Sequence, residues 1–557
     1  MAEQQTLNGW LARHSGLLSV LLVILASVRI VSTYHVFSQT SDEPAHIAAG
    51  MQWLDQGIYQ YEPLHPPLAR VATALGPFLD GRRSQHNADM WVEGKAILGR
   101  EPDYDRTLTL ARLGILPFFW VACLVVYCWG RRYFDDAVAC LAVLIFSMLP
   151  AVLAHAGLAT TDMALTATLG AAFLAATAWV ERPGARTSLL LGLTIALAVL
   201  SKLSTLVFLP ATGLAAGAGY VLFERPERST FVRQIRQRLY WLPLILLTSL
   251  IFIWAGYRFS VGTVAWNALR LQLPFPELFQ GISQLATHNQ AGALNYLLGQ
   301  HSDTGWWYYY LVAFGVKTPL SVLALAGVGC ASPGQTSHHR GWWLAITFSG
   351  AILLLTMFSH INLGIRHVLP IYFALSLLAA AGLSRLLRHG SDRPAANQLP
   401  LRWIAAALTL ELVASSVLCH PDYLSYFNPL AGRHPEKILV DSDLDWGQDM
   451  KRLALRLQQL GVKQLTFTSC IDVDPDALGL PPLVPMDFLR PSPGWNAVRL
   501  TQLEVLAAGI HTQRPEIQLW PNAISPTEKI GKGILLFRFP DQLPPAPAWF
   551  STAHIDC

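Results

Sequence analysis

The stretch Phe37-Ser-Gln-Thr-Ser-Asp-Glu-Pro-Ala-His46, continued by Tyr61-Glu-Pro-Leu-His-Pro-Pro-Leu-Ala-Arg70, decides how the chain is read. The apolar run in front of it, residues 17–37, is long enough to cross a bilayer, which takes about 20 residues of helix. Asp42 and Glu43 follow within a few residues of its end. Ionisable groups cost free energy in hydrocarbon, so a carboxylate pair at the membrane edge is a candidate functional site. Asp42 also suits the cap of the helix that Glu-Pro-Ala-His-Ile-Ala predicts, with Pro44 in its first turn. The two roles are compatible, because a capping carboxylate can also act as a base.

Composition supports the membrane reading. Of 557 residues, 52% are hydrophobic and 14% charged, where a soluble domain carries about 25% charged residues. This is the composition of an integral membrane protein. A net charge of +4, dispersed along the chain, is too small to suggest nucleic-acid binding. The first apolar run reads as a retained span, because no small-residue cleavage site follows it. Seven cysteines, at 123, 128, 140, 330, 419, 470 and 557, show no metal-ligand spacing. Cys470 and Cys557 both fall in the polar tail and are the pair that an extracytoplasmic tail would allow to bond.

A polar loop, residues 38–106, follows the first span and is too long for a mere connector. It holds the carboxylate pair, a predicted helix over 45–56, and a segment His-Pro-Pro-Leu-Ala-Arg-Val-Ala-Thr-Ala-Leu-Gly that reads as an amphipathic helix lying along the membrane. Apolar runs then recur at 108–129, 137–154, 163–180, 188–200, 203–223, 240–257, 311–330, 342–358, 368–387 and 403–418, giving about eleven spans. Alternate loops carry Arg131 and Arg132, Arg182 and Arg186, five arginines between 225 and 238, Arg340, and Arg385, Arg388, Arg393 and Arg402. The opposite loops offer little beyond Lys202 and Arg366. By the positive-inside rule the arginine-rich side is cytoplasmic. The N-terminus is then inside, while the first loop, the loop over 262–306 and the tail from His420 lie outside. Residues 1–419 form the transmembrane module and 420–557 an extracytoplasmic domain. In the tail, 445–460 has helical periodicity and 464–471 and 533–539 read as strands, so a small α/β domain is expected.

With sides assigned, the outer membrane face collects Asp42, Glu43, His46, Glu62, His65, Arg70, Asp162, Lys202, His360, Arg366 and His367. They come from separate loops that turn at one level, whereas snorkelling charges favour both faces equally. Carboxylates can act as a base or hold a metal, and cations beside them can bind phosphate. The mixture suits group transfer from a lipid phosphate: a carboxylate deprotonates an acceptor hydroxyl, and Lys, Arg and protonated His stabilise charge on the departing phosphate. Plainer roles compete at each position. Asp162, in Thr160-Thr-Asp-Met-Ala-Leu-Thr166, suits an N-cap, Lys202 and Arg366 suit headgroup anchors, and His65 suits a turn before Pro-Pro. Arg29 and Arg112, inside apolar runs, are expected to pair with carboxylates within the bundle. No Walker A sequence, no GxGxxG after a strand and no HExxH is present.

The first loop opening with Asp-Glu, the Pro-Pro-Leu segment and the Thr-Asp-Met-Ala-Leu-Thr hairpin resemble the GT-C membrane glycosyltransferases. The nearest group is the protein O-mannosyltransferase-like superfamily, glycosyltransferase family 39 and its bacterial relatives, including the aminoarabinose transferase. Tyr423-Leu-Ser-Tyr-Phe-Asn-Pro-Leu-Ala-Gly432 and Asp441-Ser-Asp-Leu-Asp-Trp-Gly-Gln-Asp449 resemble a bacterial subgroup of it. The resemblance implies a GT-C fold, a polyprenyl-phosphate sugar donor taken from the outer leaflet, and inverting transfer. Asp42 matches the family's catalytic Asp, Glu43 its usual neighbour and Asp162 the second acidic position. His65 stands where the aminoarabinose transferase has Lys, so that a phosphate contact there becomes pH-dependent. Lys202 sits where relatives have a basic residue, and Arg366, with His367 beside it, fits a further phosphate ligand. Some relatives hold a divalent metal, for which Asp42 and Asp162 would serve, but nothing in the sequence requires a cofactor.

The expectation is therefore a hexosyl- or pentosyltransferase of a bacterial inner membrane. Asp42 would be its general base, and Asp162 would orient acceptor or metal. His65, Lys202, Arg366 and His367 would hold the lipid phosphate, and the acceptor would be a lipid, glycan or protein. The alternative is a transporter or flippase of polyprenyl-linked substrates. Transporters place ionisable residues near the midplane, on broken helices and in inverted repeats, whereas these lie at one face.

Overall fold

The computed structural model describes residues 2–100, 102–266, 269–331, 339–389, 395–468, 473–514 and 516–540. Cys470 and Cys557 lie outside them. Among the described residues six helices are long and apolar enough to cross a membrane, and nine if each of three bent pairs counts as one span. The two other runs read as spans are also helical. Ala185–Ser201 is a shorter apolar helix, and His339–Thr356 opens on polar residues.

The helices pack through small residues and one aromatic knot. A Cβ on Gly329 would lie 2.1 Å from Leu378 O, and one on Gly382 equally close to Leu325 O. Such contacts let Leu320–Cys330 and Ile371–His389 approach closely, as apolar helices must where packing rather than water drives association. At the bundle centre Trp129 meets Phe173, Phe348 and Phe373 at ring centroid distances of 5.2, 5.7 and 5.4 Å.

Two of the expected spans are broken. The run 137–154 bends by 68° between Asp136–Met148 and Pro150–Ala156, where Leu149 is held extended before proline. The run 311–330 bends by 112° between Tyr309–Lys317 and Leu320–Cys330. Pro319 supplies no N–H there, and Thr318 before it is extended. These breaks carry His155 and Lys317 to one end of the bundle. The other end is tied by Arg132 and Arg340 to Glu181, by Arg340 to Glu224, and by Arg388 to Asp135.

The first long loop folds into helices Glu43–Met51, Pro67–Leu79 and Met90–Leu98 before Asp103–Leu113 begins. Pro44 stands in the first turn of the first of these, and the expected helix over 45–56 ends in a π turn closed by Gly57 at φ +73°. The tail holds a mixed five-stranded sheet in the order Leu483–Pro485, Leu465–Phe467, Gly494–Arg499, Ile534–Phe539, Glu528–Ile530. The first three strands are parallel, and Gly494–Arg499 pairs antiparallel with Ile534–Phe539, Arg499 opposite Ile534. The expected helix over 445–460 starts only at Met450. The preceding residues form a turn because Asp445 accepts from Arg499 and Thr501, and Asp449 accepts from the amides of Lys532 and Gly533. The sheet and Met450–Gln459 share one core with the first loop, in which Ile47, Met51 and Leu108 pack with Leu453, Leu457, Phe467 and Leu536.

Close backbone approach holds the helix of Glu43 in place. A Cβ on Gly94 would lie 2.0 Å from Pro44 O. Gly94→Ala should therefore lower the melting temperature in detergent, although alanine favours an isolated helix by about 1 kcal/mol. Unchanged or raised thermal stability would show that the contact is dispensable.

Candidate functional site

Adjacent carboxylates in the first loop have opposite fates. Glu43 is fully buried, and its Oε2 accepts from Arg112 Nη2 at 2.8 Å and from Thr40 N at 2.7 Å. Its Oε1 accepts from Arg112 Nε and Ala159 N, both at 2.8 Å. Arg112 thus has the carboxylate partner its apolar setting demanded. Glu43 is a brace between the first loop, the helix Asp103–Leu113 and the hairpin that leads to Asp162, and it does not face the other candidates. Arg29 departs from expectation: its Nη2 donates to Ser416 O at 2.6 Å, and its guanidinium lies 5.3 Å from the Tyr423 ring centroid. It meets a carbonyl and an aromatic face there rather than a carboxylate.

Asp42 turns the other way. It occupies the N-cap position, yet its side chain makes no capping bond. Arg366 Nη1 donates to its Oδ2 at 2.7 Å, with the Asp42 side chain 34% exposed. Arg366 lies 4.2 Å from the centroid of the Trp446 ring beneath it, a cation–π contact. Asp162 likewise caps nothing. It is the first residue of Asp162–Glu181, behind an N-cap Thr161, and Lys202 Nζ donates to its Oδ1 at 2.6 Å. Lys202 reaches it because the chain turns extended at the end of Ala185–Ser201.

Histidines complete the constellation. His46 Nδ1 accepts from Arg70 Nε at 3.0 Å, and Arg70 is also paired with Glu62. The rings of His46 and His65 meet edge to face at 5.3 Å. Burial, then the cations Arg70 for His46 and His65 and Lys202 for His367, hold these imidazoles well below their usual range. They are neutral donors at pH 7, a correction to the expectation of protonated histidines. Asp162 Oδ2, His65 Nδ1, His155 Nδ1, Thr160 Oγ1 and His367 Nε2 are buried without a hydrogen-bond partner. Unmade bonds of this kind are costly, and a polar ligand among these groups would complete them.

His65 and His367 both lie within electrostatic reach of Asp162 and Lys202, and Arg366 links this group to Asp42. His360 instead lies on the rim, where Asn289 accepts from its amide at 3.3 Å. Trp446 and Asp441 were quoted from the sequence without a role. No spacing rule singles them out, since they reach the site only through the tail fold. Among the described residues no group of three or more His, Cys, Asp or Glu side chains could hold a metal ion. Asp42 and Asp162 each already hold a cationic side chain, so this donor set does not fit a resident metal. A separate apolar cleft of about 1030 Å³ between the first span and Leu116–Tyr133 contains none of these residues.

Residues 108–256 match the family model described as dolichyl-phosphate-mannose-protein mannosyltransferase. The crystal structure of ArnT from Cupriavidus metallidurans bound to undecaprenyl phosphate superposes on 93% of this chain and 97% of its own, with 14% identity and a TM-score of 0.50. The chain has the GT-C fold. Apo ArnT matches over the same shares at 13% identity and a TM-score of 0.48. The oligosaccharyltransferase AglB from Archaeoglobus fulgidus, in complex with an inhibitory peptide and a dolichol-phosphate, matches over 88% of this chain and 71% of its own, at 13% identity and a TM-score of 0.43. No curated protein matches the chain.

The opposite fates of Asp42 and Glu43 are separable by stability alone. Glu43→Gln leaves Arg112 buried without its counter-charge, and breaking a buried pair in this way costs about 3–5 kcal/mol. Asp42→Asn, at a partly exposed pair, should leave the melting temperature close to wild type. Equal losses in a detergent thermal melt would contradict the distinction.

Proposed function

We propose that the chain is an integral membrane glycosyltransferase that moves a sugar from a polyprenyl-phosphate donor to an acceptor at the extracytoplasmic face of a bacterial inner membrane. The observation that carries this reading is the convergence of two carboxylate–cation pairs, Asp42–Arg366 and Asp162–Lys202, from four separate loops. The family model over residues 108–256 and the fold shared with ArnT, whose structure holds undecaprenyl phosphate, support a lipid-phosphate donor.

In this mechanism Asp42, the more exposed of the carboxylates, takes the proton of an acceptor hydroxyl or amine as that atom attacks the anomeric carbon. The new glycosidic bond forms as the bond from the anomeric carbon to the phosphate oxygen breaks, with inversion, and the lipid phosphate departs with the electron pair. Arg366 and Lys202 stabilise its growing charge in a desolvated site, where such contacts are worth most. Neutral His65 and His367 donate N–H bonds to phosphate or sugar oxygens, and Asp162 holds Lys202 in place and orients the acceptor. The eleven helical runs cross the membrane with the N-terminus inside, and the tail from residue 420 folds outside against the first loop.

The test is turnover in proteoliposomes, with a panel of radiolabelled polyprenyl-phosphate sugars and membrane extract as the source of acceptor. Wild type should release label from one donor. Asp42→Asn should lose about 10²–10⁴-fold in rate, the span of general acid–base contributions. Full activity of Asp42→Asn would sink the assignment of the base. Movement of intact lipid across the bilayer without release of label would favour a transporter.

A further inference from the structure

The end of the bundle away from the candidate site is built from arginines. Arg131 and Arg132 stand in the last turn of Leu116–Tyr133, Arg182 caps Asp162–Glu181, and Arg340 stands second in His339–Thr356. Arg132, Arg182 and Arg340 line a cavity of about 480 Å³ together with Tyr133, Glu181 and Glu224.

The bonds made in this cavity leave cationic capacity unused. Glu181 accepts from Arg132 and, at 2.8 Å, from Tyr133 Oη. Arg340 Nε donates to Glu224 Oε1 at 3.2 Å, while its Nη1 stands 3.8 Å from Glu181 Oε1. That second separation exceeds a hydrogen bond, so Arg340 is bonded to one acid and only attracted by the other. Among the described residues the Arg182 side chain has no hydrogen-bond or ion-pair partner. Three guanidinium groups therefore face two carboxylates, and the formal balance is positive.

The surroundings set this cavity at headgroup depth. Phe223 meets the rings of His339, Trp342 and Trp343 at centroid distances of 5.8, 5.7 and 6.3 Å, and tryptophans gather where a membrane meets water. The neighbouring helix Arg228–Leu239 leaves Val232, Ile235 and Leu239 exposed, with Arg233 and Arg236 exposed between them. Steps of three and four residues put the apolar side chains on one face, the pattern of a helix that lies in the membrane interface. Arg238 Nε fastens it to Val180 O at 3.1 Å, one residue before Glu181.

We propose that this cavity binds the phosphate headgroup of an anionic membrane lipid, with Arg182 and Arg340 as its ligands. The planar guanidinium fork matches phosphate oxygens, and basic pockets between membrane helices take anionic headgroups. Arg182 can engage the phosphate without breaking a pair, whereas Arg340 must turn from Glu224. Glu224 thereby limits affinity, since it competes with the phosphate for Arg340. Lipid binding here is independent of the Asp42–Arg366 and Asp162–Lys202 pairs, and so of glycosyl transfer.

The test titrates delipidated full-length protein in detergent with phosphatidylglycerol, phosphatidylcholine or inorganic phosphate, and follows the bound species by native mass spectrometry. Wild type should bind phosphatidylglycerol roughly five-fold tighter than phosphatidylcholine or better, about the contribution of one arginine at an anionic surface. Arg182→Gln should lose that preference. Glu224→Gln, which releases Arg340, should bind phosphatidylglycerol tighter than wild type, a gain that a purely structural ion-pair network does not predict. Arg236→Gln, which lies outside the cavity, should bind as wild type does. No preference for phosphatidylglycerol, a preference retained by Arg182→Gln, no gain in Glu224→Gln, or an equal loss in Arg236→Gln would each overturn the proposal. Inorganic phosphate binding as tightly as phosphatidylglycerol would reassign the cavity to a free anion and overturn it as well.

Discussion

The buried ion pair of Glu43 and Arg112 is the constraint on which the site depends. Two charges withdrawn from water cost several kcal/mol each unless their bonding capacity is filled. Here Thr40, Ala159 and Ser38 O join the pair and fill it. Because Ala159 precedes Asp162 by three residues, satisfying Glu43 also fixes where the second acidic position stands. Consecutive residues on a helix point about 100° apart, so burying Glu43 inward leaves Asp42 facing Arg366. The Asp-Glu dipeptide is one device with two ends, an anchor and a partly exposed acid.

Much of this was legible in the sequence, because membrane segments are dictated by length and hydropathy. Each of the eleven apolar runs contains a helix, the first ending at Val31, and the loops that carry Asp42, Asp162, Lys202 and Arg366 meet at one end. What failed did so for physical reasons. Pro150 and Pro319 broke runs that hydropathy reads as continuous. Asp445 and Asp449 spent their carboxylates on distant amides, so helical periodicity over 445–449 produced a turn. Glu43 could not be told from Asp42 by type or spacing, since only the three-dimensional partner, Arg112, separates them. His46 and His65 could be collected as titratable, but their neutrality follows from burial beside Arg70, which no single sequence displays.

The tail is not an appendage in the structure. Leu453, Leu457 and Phe467 share a core with Ile47 and Met51, and Lys317 Nζ, at the 112° bend, donates to Leu424 O and Asp443 O. Arg366 is stacked on a tail tryptophan while paired with a first-loop aspartate. Geometry at the site therefore depends on all three parts being docked together.

The neutrality of the histidines has a consequence for the proposed turnover. Asp42 balances Arg366, Asp162 balances Lys202, and Glu62 balances Arg70, while His46, His65 and His367 add no charge. A resting chamber of this kind presents no surplus positive field. Under the proposed transfer from a lipid-phosphate donor, a strongly cationic pocket would become a trap, holding the spent carrier after each cycle. In that proposed cycle, paired cations would be lent to the phosphate and reclaimed by their own carboxylates, so that the carrier lipid could leave.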